Sequence, residues 1–331
     1  MNFLQRPIKS IPALFFFALA FVPTIASALD DNFLTTFLAR VLIYSIAATA
    51  LNIALGFGGL VSLGHALFIG LGMYSVALPA HFGVDNGWVQ LIVCVISCSV
   101  IGAITGAVSL RTSGIAFIMI TLAFAQMGYF VVVSLKQFGG DDGMAVAAPS
   151  DFFGLKLSTA NNVYYFALAL LVVLTVWIHK LRQSPFGMTL RAGRQNGRRV
   201  NSVGLALKNY QLTAYVLSAV FCGLAGMLLA NLSAYASPSS MSWLVSGDLI
   251  VMVVLGGMGT VLGPIAGAFL FMGIEEILKT MTDNWMAIFG LLIVVIAMLG
   301  KAGVMGWFEV FSNSNVAERA HDRKANEGAS V

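Results

Sequence analysis

The sequence predicts an all-α integral membrane protein, a polytopic bundle of about ten (8–10) transmembrane helices with re-entrant segments where glycines crowd. Three observations predict it. Apolar residues make up 59% of the chain and charged ones only 10%, against roughly 45–50% and about 25% in an average soluble domain. So few charges cannot solvate so apolar a surface. Long uncharged runs cover most of the first 300 residues, and the basic residues gather between two of these runs.

With Lys, Arg, Asp and Glu as breaks, the runs fall at 10–29, 41–84, 86–110, 112–135, 157–179, 209–247, 249–274 and 284–300. Most are close to the ~20 residues that cross a bilayer core. Run 10–29 follows Arg6 and Lys9 and ends near Ala26-Ser27-Ala28, which also describes a signal peptide with an A-x-A cleavage site. Its length exceeds the roughly 7–15 apolar residues that such a peptide needs and favours an uncleaved first helix. Runs 41–84 and 209–247 are too long for one crossing, and each contains Gly or Pro where the chain can turn. Each holds two helices, or one helix and a re-entrant piece. Cys94, Cys98 and Cys222 sit in apolar runs and read as small buried side chains.

Orientation follows from the basic residues. The segment 180–208 carries Lys180, Arg182, Arg191, Arg194, Arg198, Arg199 and Lys208 and no acid, so it belongs in the cytoplasm. Alternation then places Arg111 inside and the loop 136–156, with Asp141, Asp142 and Asp151, outside. Ten crossings leave 14 Lys/Arg inside and three outside, with Arg40 in or near a helix. Both termini are then cytoplasmic. Residues 1–301 form a single transmembrane domain and 302–331 a cytoplasmic tail.

Two segments are dense in glycine, GFGGLVSLGHALFIGLG at 56–72 and GGMGTVLGPIAGA at 256–268. Irregular backbone survives in a membrane only under cover of protein or a wet cavity. Tight helix packing and lining of a pathway both suit such glycines. Gly58-Gly59 and Gly256-Gly257 stand 198 residues apart, a faint repeat of the kind that flanks transport routes. Polar residues within the spans are Asn52, Ser62, His65, Thr121, Gln126, Asn231 and Asp248. An intramembrane His is a functional candidate, although His65 can equally bond a neighbouring backbone carbonyl. Asp248, Glu275 and Glu276 fall near predicted helix ends.

No G-x-x-x-x-G-K-[ST], H-E-x-x-H or G-x-S-x-G string occurs, nor a His/Cys/carboxylate cluster at metal spacing. No catalytic residue, metal site or cofactor is expected, and a net charge of +4 gives no nucleic-acid signal. The most unusual polar segment is SPFGMTLRAGRQNGRRVNSVGLALKNY at 184–210. Residues 188–203 suit one or two short helices broken at Gly193, Asn196-Gly197 and Gly204. Spacings of three and four put Arg191, Arg194 and Arg198 on one face, which suits a partner protein. A loop that only fixes topology and touches anionic lipid is the plainer reading.

Four stretches carry a resemblance: LNIALGFGGLVSLGHALFIGLGMY (51–74), LRTSGIAFIMITLAFAQM (110–127), SPFGMTLRAGRQN with SVGL (184–205) and LGGMGTVLGPIAGA (255–268). In order and separation they resemble the M-type inner-membrane permeases of bacterial branched-chain amino-acid ABC transporters, over about residues 40–300. The resemblance implies a second, H-type permease chain, two cytoplasmic ATPase chains and a periplasmic solute-binding protein as partners, with lipid around the bundle. It also implies an ATPase-coupling loop at 184–205, with Ser184, Pro185, Gly187, Arg191, Arg194, Gln195, Asn196 and Gly204 as its site residues. Asn52, Gly58, Gly59, Ser62, Gly64, His65, Thr121, Gln126, Gly256, Gly257, Gly259 and Pro264 become candidates for the pathway or its packing. The family often has an acid where Gln195 stands, and an acidic or Ala-rich stretch where Gly197-Arg198-Arg199-Val200 stands, so this loop is more basic. Permeases for urea, short amides or other amino acids share the motifs. An ion-coupled secondary transporter would need paired intramembrane carboxylates, and a membrane enzyme a clustered polar site.

Overall fold

The computed structural model describes residues 15–24 and 32–299. The Ala26-Ser27-Ala28 string and the tail 302–331 lie outside them, so the expectations for leader and tail do too. Eleven helices form among the described residues, ten apolar and one polar. They are α1 (Phe15–Thr24), α2 (Asn32–Asn52), α3 (His65–His81), α4 (Gly87–Ser109), α5 (Ile115–Ser134), α6 (Ala160–Gln183), α7 (Pro185–Ser202), α8 (Leu207–Ser233), α9 (Trp243–Gly256), α10 (Gly263–Met281) and α11 (Trp285–Leu299). The polar one is α7. Run 41–84 holds two helices as expected, but run 249–274, expected to hold one, is divided by the break 257–262 between α9 and α10, because Asp248, which separates it from run 209–247, lies inside α9.

Five helices are long and apolar enough to cross a membrane, at Phe33–Phe57, Gly87–Ser109, Ile115–Ser134, Ala160–Gln183 and Leu207–Ser233. At 1.5 Å per residue, the 17 residues of α3 and 14 of α9 reach only about 25 and about 21 Å, short of a ~30 Å hydrocarbon core. Both adjoin the glycine-rich breaks, as re-entrant pieces would.

The centre of the bundle is α8, which packs along α3, α4 and α2. Of the apolar stretch of α2, 83% is buried, against 17% for α5, so α2 is the axis and α5 stands at the periphery. Small residues permit this packing: at Gly72 a Cβ would lie 3.0 Å from Gly223 Cα, and at Gly226 it would lie 2.9 Å from Ile69 Cα. Close approach of this kind is what replaces the hydrophobic driving force between helices in lipid. The lipid-side surface of α4 is the stripe Ile92, Ile96, Val100 and Ile104, all exposed, at the spacing of one helix face.

At the end of the bundle away from α7 the long connection 135–159 joins α5 to α6. Four two-residue strands form there, β1 (Met144–Ala145) antiparallel to β4 (Tyr235–Ala236) and β2 (Asp151–Phe152) antiparallel to β3 (Leu155–Lys156). Buried Asn231 ties this cover to α8: its Oδ1 accepts from Ser150 N at 2.9 Å, and its Nδ2 donates to Ser150 Oγ at 2.9 Å. Ser150 Oγ in turn donates to Gln90 of α4. Asn231→Ala leaves the buried Ser150 N without its acceptor, while Ser150 Oγ keeps Gln90, so the purified protein is expected to lose about 1–3 kcal/mol of stability, read as a lowered melting midpoint. An unchanged melting midpoint would count against that tie.

Candidate functional site

The glycine-rich breaks, far apart in sequence, meet at the α7 end of the bundle. After α2 the chain makes a π-turn, Ile53–Phe57, which is fully buried, and then runs irregularly to Gly64. Helix ends leave carbonyls without intrahelical donors, and a side chain answers this one: Arg194 Nη1 of α7 donates to the Gly56 carbonyl. A cation there also opposes the negative end of the helix dipole. Gly59 has φ +70, and a Cβ on it would lie 2.9 Å from Arg194 Cγ, so the arginine stem lies directly over the break.

The second break, between α9 and α10, lies against the first. Asn52 Nδ2 donates to the Thr260 carbonyl at 2.8 Å, and Gly259 N donates to Asn52 Oδ1 at 2.9 Å. One buried amide thus satisfies a donor and an acceptor of a segment 207 residues away. Thr260 Oγ1 donates to Gly257 O at 2.8 Å and accepts from Gly263 N at 3.0 Å, closing the turn that Gly257 (φ +116) and Gly259 (φ +79) permit. Pro264 opens α10, where its missing N–H costs nothing. Gly256 packs so closely on α10 that a Cβ would sit 3.0 Å from Gly267 N. Asn52, Gly58, Gly59, Gly256, Gly257, Gly259 and Arg194 therefore form one junction.

The segment carrying Arg194 is built for a sharp corner. Ser184 caps α7, accepting from Gly187 N at 3.3 Å, with Pro185 at the first helical position. A Cβ on Gly187 would lie 3.0 Å from Arg182 Cα. Arg191 Nη2 donates to the Arg182 carbonyl at 3.0 Å and its Nε to Gly187 O at 3.3 Å, fastening α7 to the end of α6. The helix breaks at Asn196 (φ −155, ψ 94), whose Oδ1 accepts from Arg199 N at 3.1 Å as a cap for the short piece that follows. This interrupts the single arginine face expected from spacing. Arg191 and Arg194 point to backbone carbonyls, and Gln195, Arg198 and Arg199 are exposed. Gly204 (φ +89) ends the segment.

The remaining candidates lie elsewhere. Gly64 N donates to Ser62 Oγ at 3.2 Å, and Leu63 N to Thr121 Oγ1 of α5 at 3.2 Å, so Ser62, Gly64 and Thr121 hold the first break against α5. His65 is wholly buried, its Nε2 2.9 Å from Ser218 Oγ of α8, and Ser218 donates to Ala50 O of α2 at 2.7 Å. Because Ser218 spends its proton on Ala50, His65 Nε2 is the donor in that pair. Gln126 stands half-buried on α5, apart from the junction. Asp248 lies in the second turn of α9 rather than at a helix end, and Glu275 pairs with Lys279 at 2.7 Å. Sequence reading missed the Gly56 carbonyl, Thr260, Ser218 and Ser246, whose Oγ accepts from Ala66 N at 2.8 Å. Thr260, next to GGMG, was the one with a visible signal.

Asn52→Ala would leave Gly259 N and Thr260 O without their partners. A loss of about 1–3 kcal/mol, seen as a lowered melting midpoint, is expected. A midpoint equal to that of the unsubstituted protein would remove the clamp.

The chain is similar in sequence to known transport proteins. The high-affinity branched-chain amino acid transport system permease protein LivM of Escherichia coli (strain K12) is 29% identical over 288 residues, 80% of this chain and 68% of the relative. The protein of the same name from Salmonella typhimurium is 28% identical over the same shares. A probable branched-chain amino acid transport permease protein LivM from Methanocaldococcus jannaschii is 22% identical over 73% of this chain and 80% of the relative. No solved structure matches significantly. The family described as the branched-chain amino acid transport system / permease component matches residues 33–297, which take in the whole junction and α7, and the chain belongs to that family.

Proposed function

We propose that the chain moves leucine, isoleucine and valine into the bacterial cytoplasm as one of two permease chains of an ATP-driven importer. A periplasmic binding protein delivers the solute, two ATPase chains act on α7, and both termini and α7 face the cytoplasm. The observation that carries this reading is the bond from Arg194 to the carbonyl end of α2, at the point where Asn52 holds the α9–α10 break. Motion of α7 then displaces α2, α9 and α10 together, while Arg191 keeps α7 fastened to α6. Gly59, Gly257 and Gly259 sit in left-handed or extended positive-φ backbone, which gives the breaks pivots that other residues would resist. Alternating access by two helix packings needs such pivots between rigid pieces. The spans carry few polar groups, so choice of solute rests mainly with the binding protein.

The test is uptake of labelled leucine into proteoliposomes holding the chain with its neighbouring permease, ATPases and binding protein. Uptake that needs ATP and the binding protein is expected. Uptake driven by an ion gradient without ATP would contradict the proposal, and transport of urea in place of leucine would overturn its solute.

A further inference from the structure

Beside the junction the bundle opens into a cavity of about 640 Å³. Its polar lining includes Arg111, Arg194 and Lys208, with Thr112, Ser113 and Gln211. Among the described residues no carboxylate lines it, and neither Arg111 nor Lys208 takes part in an ion pair. The N-terminus of α5 opens onto the same space: Gly114 (φ +62) and Phe117 are in the wall, and the first amides of a helix lack intrahelical acceptors. Thr112 Oγ1 donates to Ser109 O and Arg194 Nη1 to Gly56 O, which leaves Arg111, Lys208, the Ser113 hydroxyl and the first amides of α5 around one hollow with no acid to neutralise the cations, a set that selects an anion rich in oxygens.

The remainder of the wall decides what carries that anion. Val61 and Met258 line the cavity and are exposed, and Ile115 beside Gly114 is 75% exposed. A free anion would have no use for this apolar rim, whereas an amphiphile would lay its chains there. We propose that the cavity binds the phosphate of an anionic phospholipid, with Arg111, Lys208 and the start of α5 as its head-group site. Basic pockets between transmembrane helices are suited to such head groups. The lipid would then touch Arg194 itself, so membrane anion content would bear on coupling. The leaflet rests on the cytoplasmic orientation proposed above; retention of the lipid does not.

The full transporter complex is reconstituted with phosphatidylcholine containing phosphatidylglycerol, extracted in mild detergent and weighed intact by native mass spectrometry. Bound phosphatidylglycerol is expected on the unsubstituted complex and on Lys180→Gln, which lies outside the cavity. Arg111→Gln with Lys208→Gln is expected to lower its occupancy at least tenfold. Should the doubly substituted complex not assemble, a photoactivatable phosphatidylglycerol on the unsubstituted complex is expected to label residues 111–118 or 193–211. Equal retention by the doubly substituted complex, or labelling elsewhere, would overturn the site. Displacement of the lipid by millimolar inorganic phosphate would support phosphate recognition, whereas phosphate binding without any lipid retention would overturn the lipid as its source.

Discussion

Arg194→Ala is expected to lower ATP-dependent uptake by at least tenfold while ATP hydrolysis by the assembled complex stays within about twofold of the unsubstituted rate. The guanidinium makes a charge-assisted bond to the Gly56 carbonyl, a class of contact contributing about 1.5–3 kcal/mol. Without it the end of α2 loses its cap and α7 loses its hold on the junction. Each ~1.4 kcal/mol of lost coupling is a factor of ten. Arg194→Lys keeps the charge but not the planar fork, and partial recovery is expected of it. Arg191→Ala should act differently, loosening the α6–α7 corner that its bonds to Arg182 O and Gly187 O hold. That defect appears in thermal stability. Measured in proteoliposomes, equal loss of hydrolysis and uptake on removing Arg194 would mean that it merely supports the fold.

The second large effect is structural. Gly72→Ala and Gly226→Ala each bring a methyl group into the backbone of the facing helix, at Gly223 and Ile69 respectively. Backbone carbonyls cannot move aside as a flexible side chain can, so α3 and α8 must separate along the most extensive contact in the bundle. Overpacking of a tight core typically costs about 1–3 kcal/mol and sometimes more. Each substitution is expected to lower folded protein in the membrane several-fold, assayed by size-exclusion chromatography after extraction. Gly247→Ala is the control, because nothing lies within 4 Å of a Cβ there. In helical α9 it gains up to about 1 kcal/mol of helix propensity. Equal yields of all three proteins would show that the α3–α8 contact is looser than described.

Most helices were legible in the sequence because lipid imposes length and apolarity on each crossing, whereas α2, α9 and α10 carry Arg40, Asp248 and Glu275, Glu276 and Lys279 across the bounds of the charge-free runs. The position of α7 was legible for the converse reason: seven basic residues with no acid between Lys180 and Lys208 cannot lie in hydrocarbon. What could not be read was how the segments join. Asn52 is one of several polar residues in an apolar run until Gly259 and Thr260, some two hundred residues on, meet its amide. His65 stood out as an intramembrane histidine, but nothing near it in sequence pointed to Ser218 on α8. The π-turn at Ile53–Phe57 was hidden because a segment buried on all sides shows no periodic face. The strands escaped since two residues are too few to show alternation. Arginine spacing suggested one face on α7, yet Arg191 and Arg194 reach backbone carbonyls, and the Asn196 break separates Arg198 from them.

Labelling of α7 is the most direct check on the claim that a cytoplasmic motor acts through it. The cysteines Cys94, Cys98 and Cys222 are all buried, so a single exposed replacement, Arg199→Cys, supplies the reactive site for a membrane-impermeant maleimide. Labelling in inside-out vesicles, blocked when the ATPase chains are bound, with none in intact spheroplasts, is the predicted result. Labelling from the periplasmic side, or labelling indifferent to the ATPases, would contradict it.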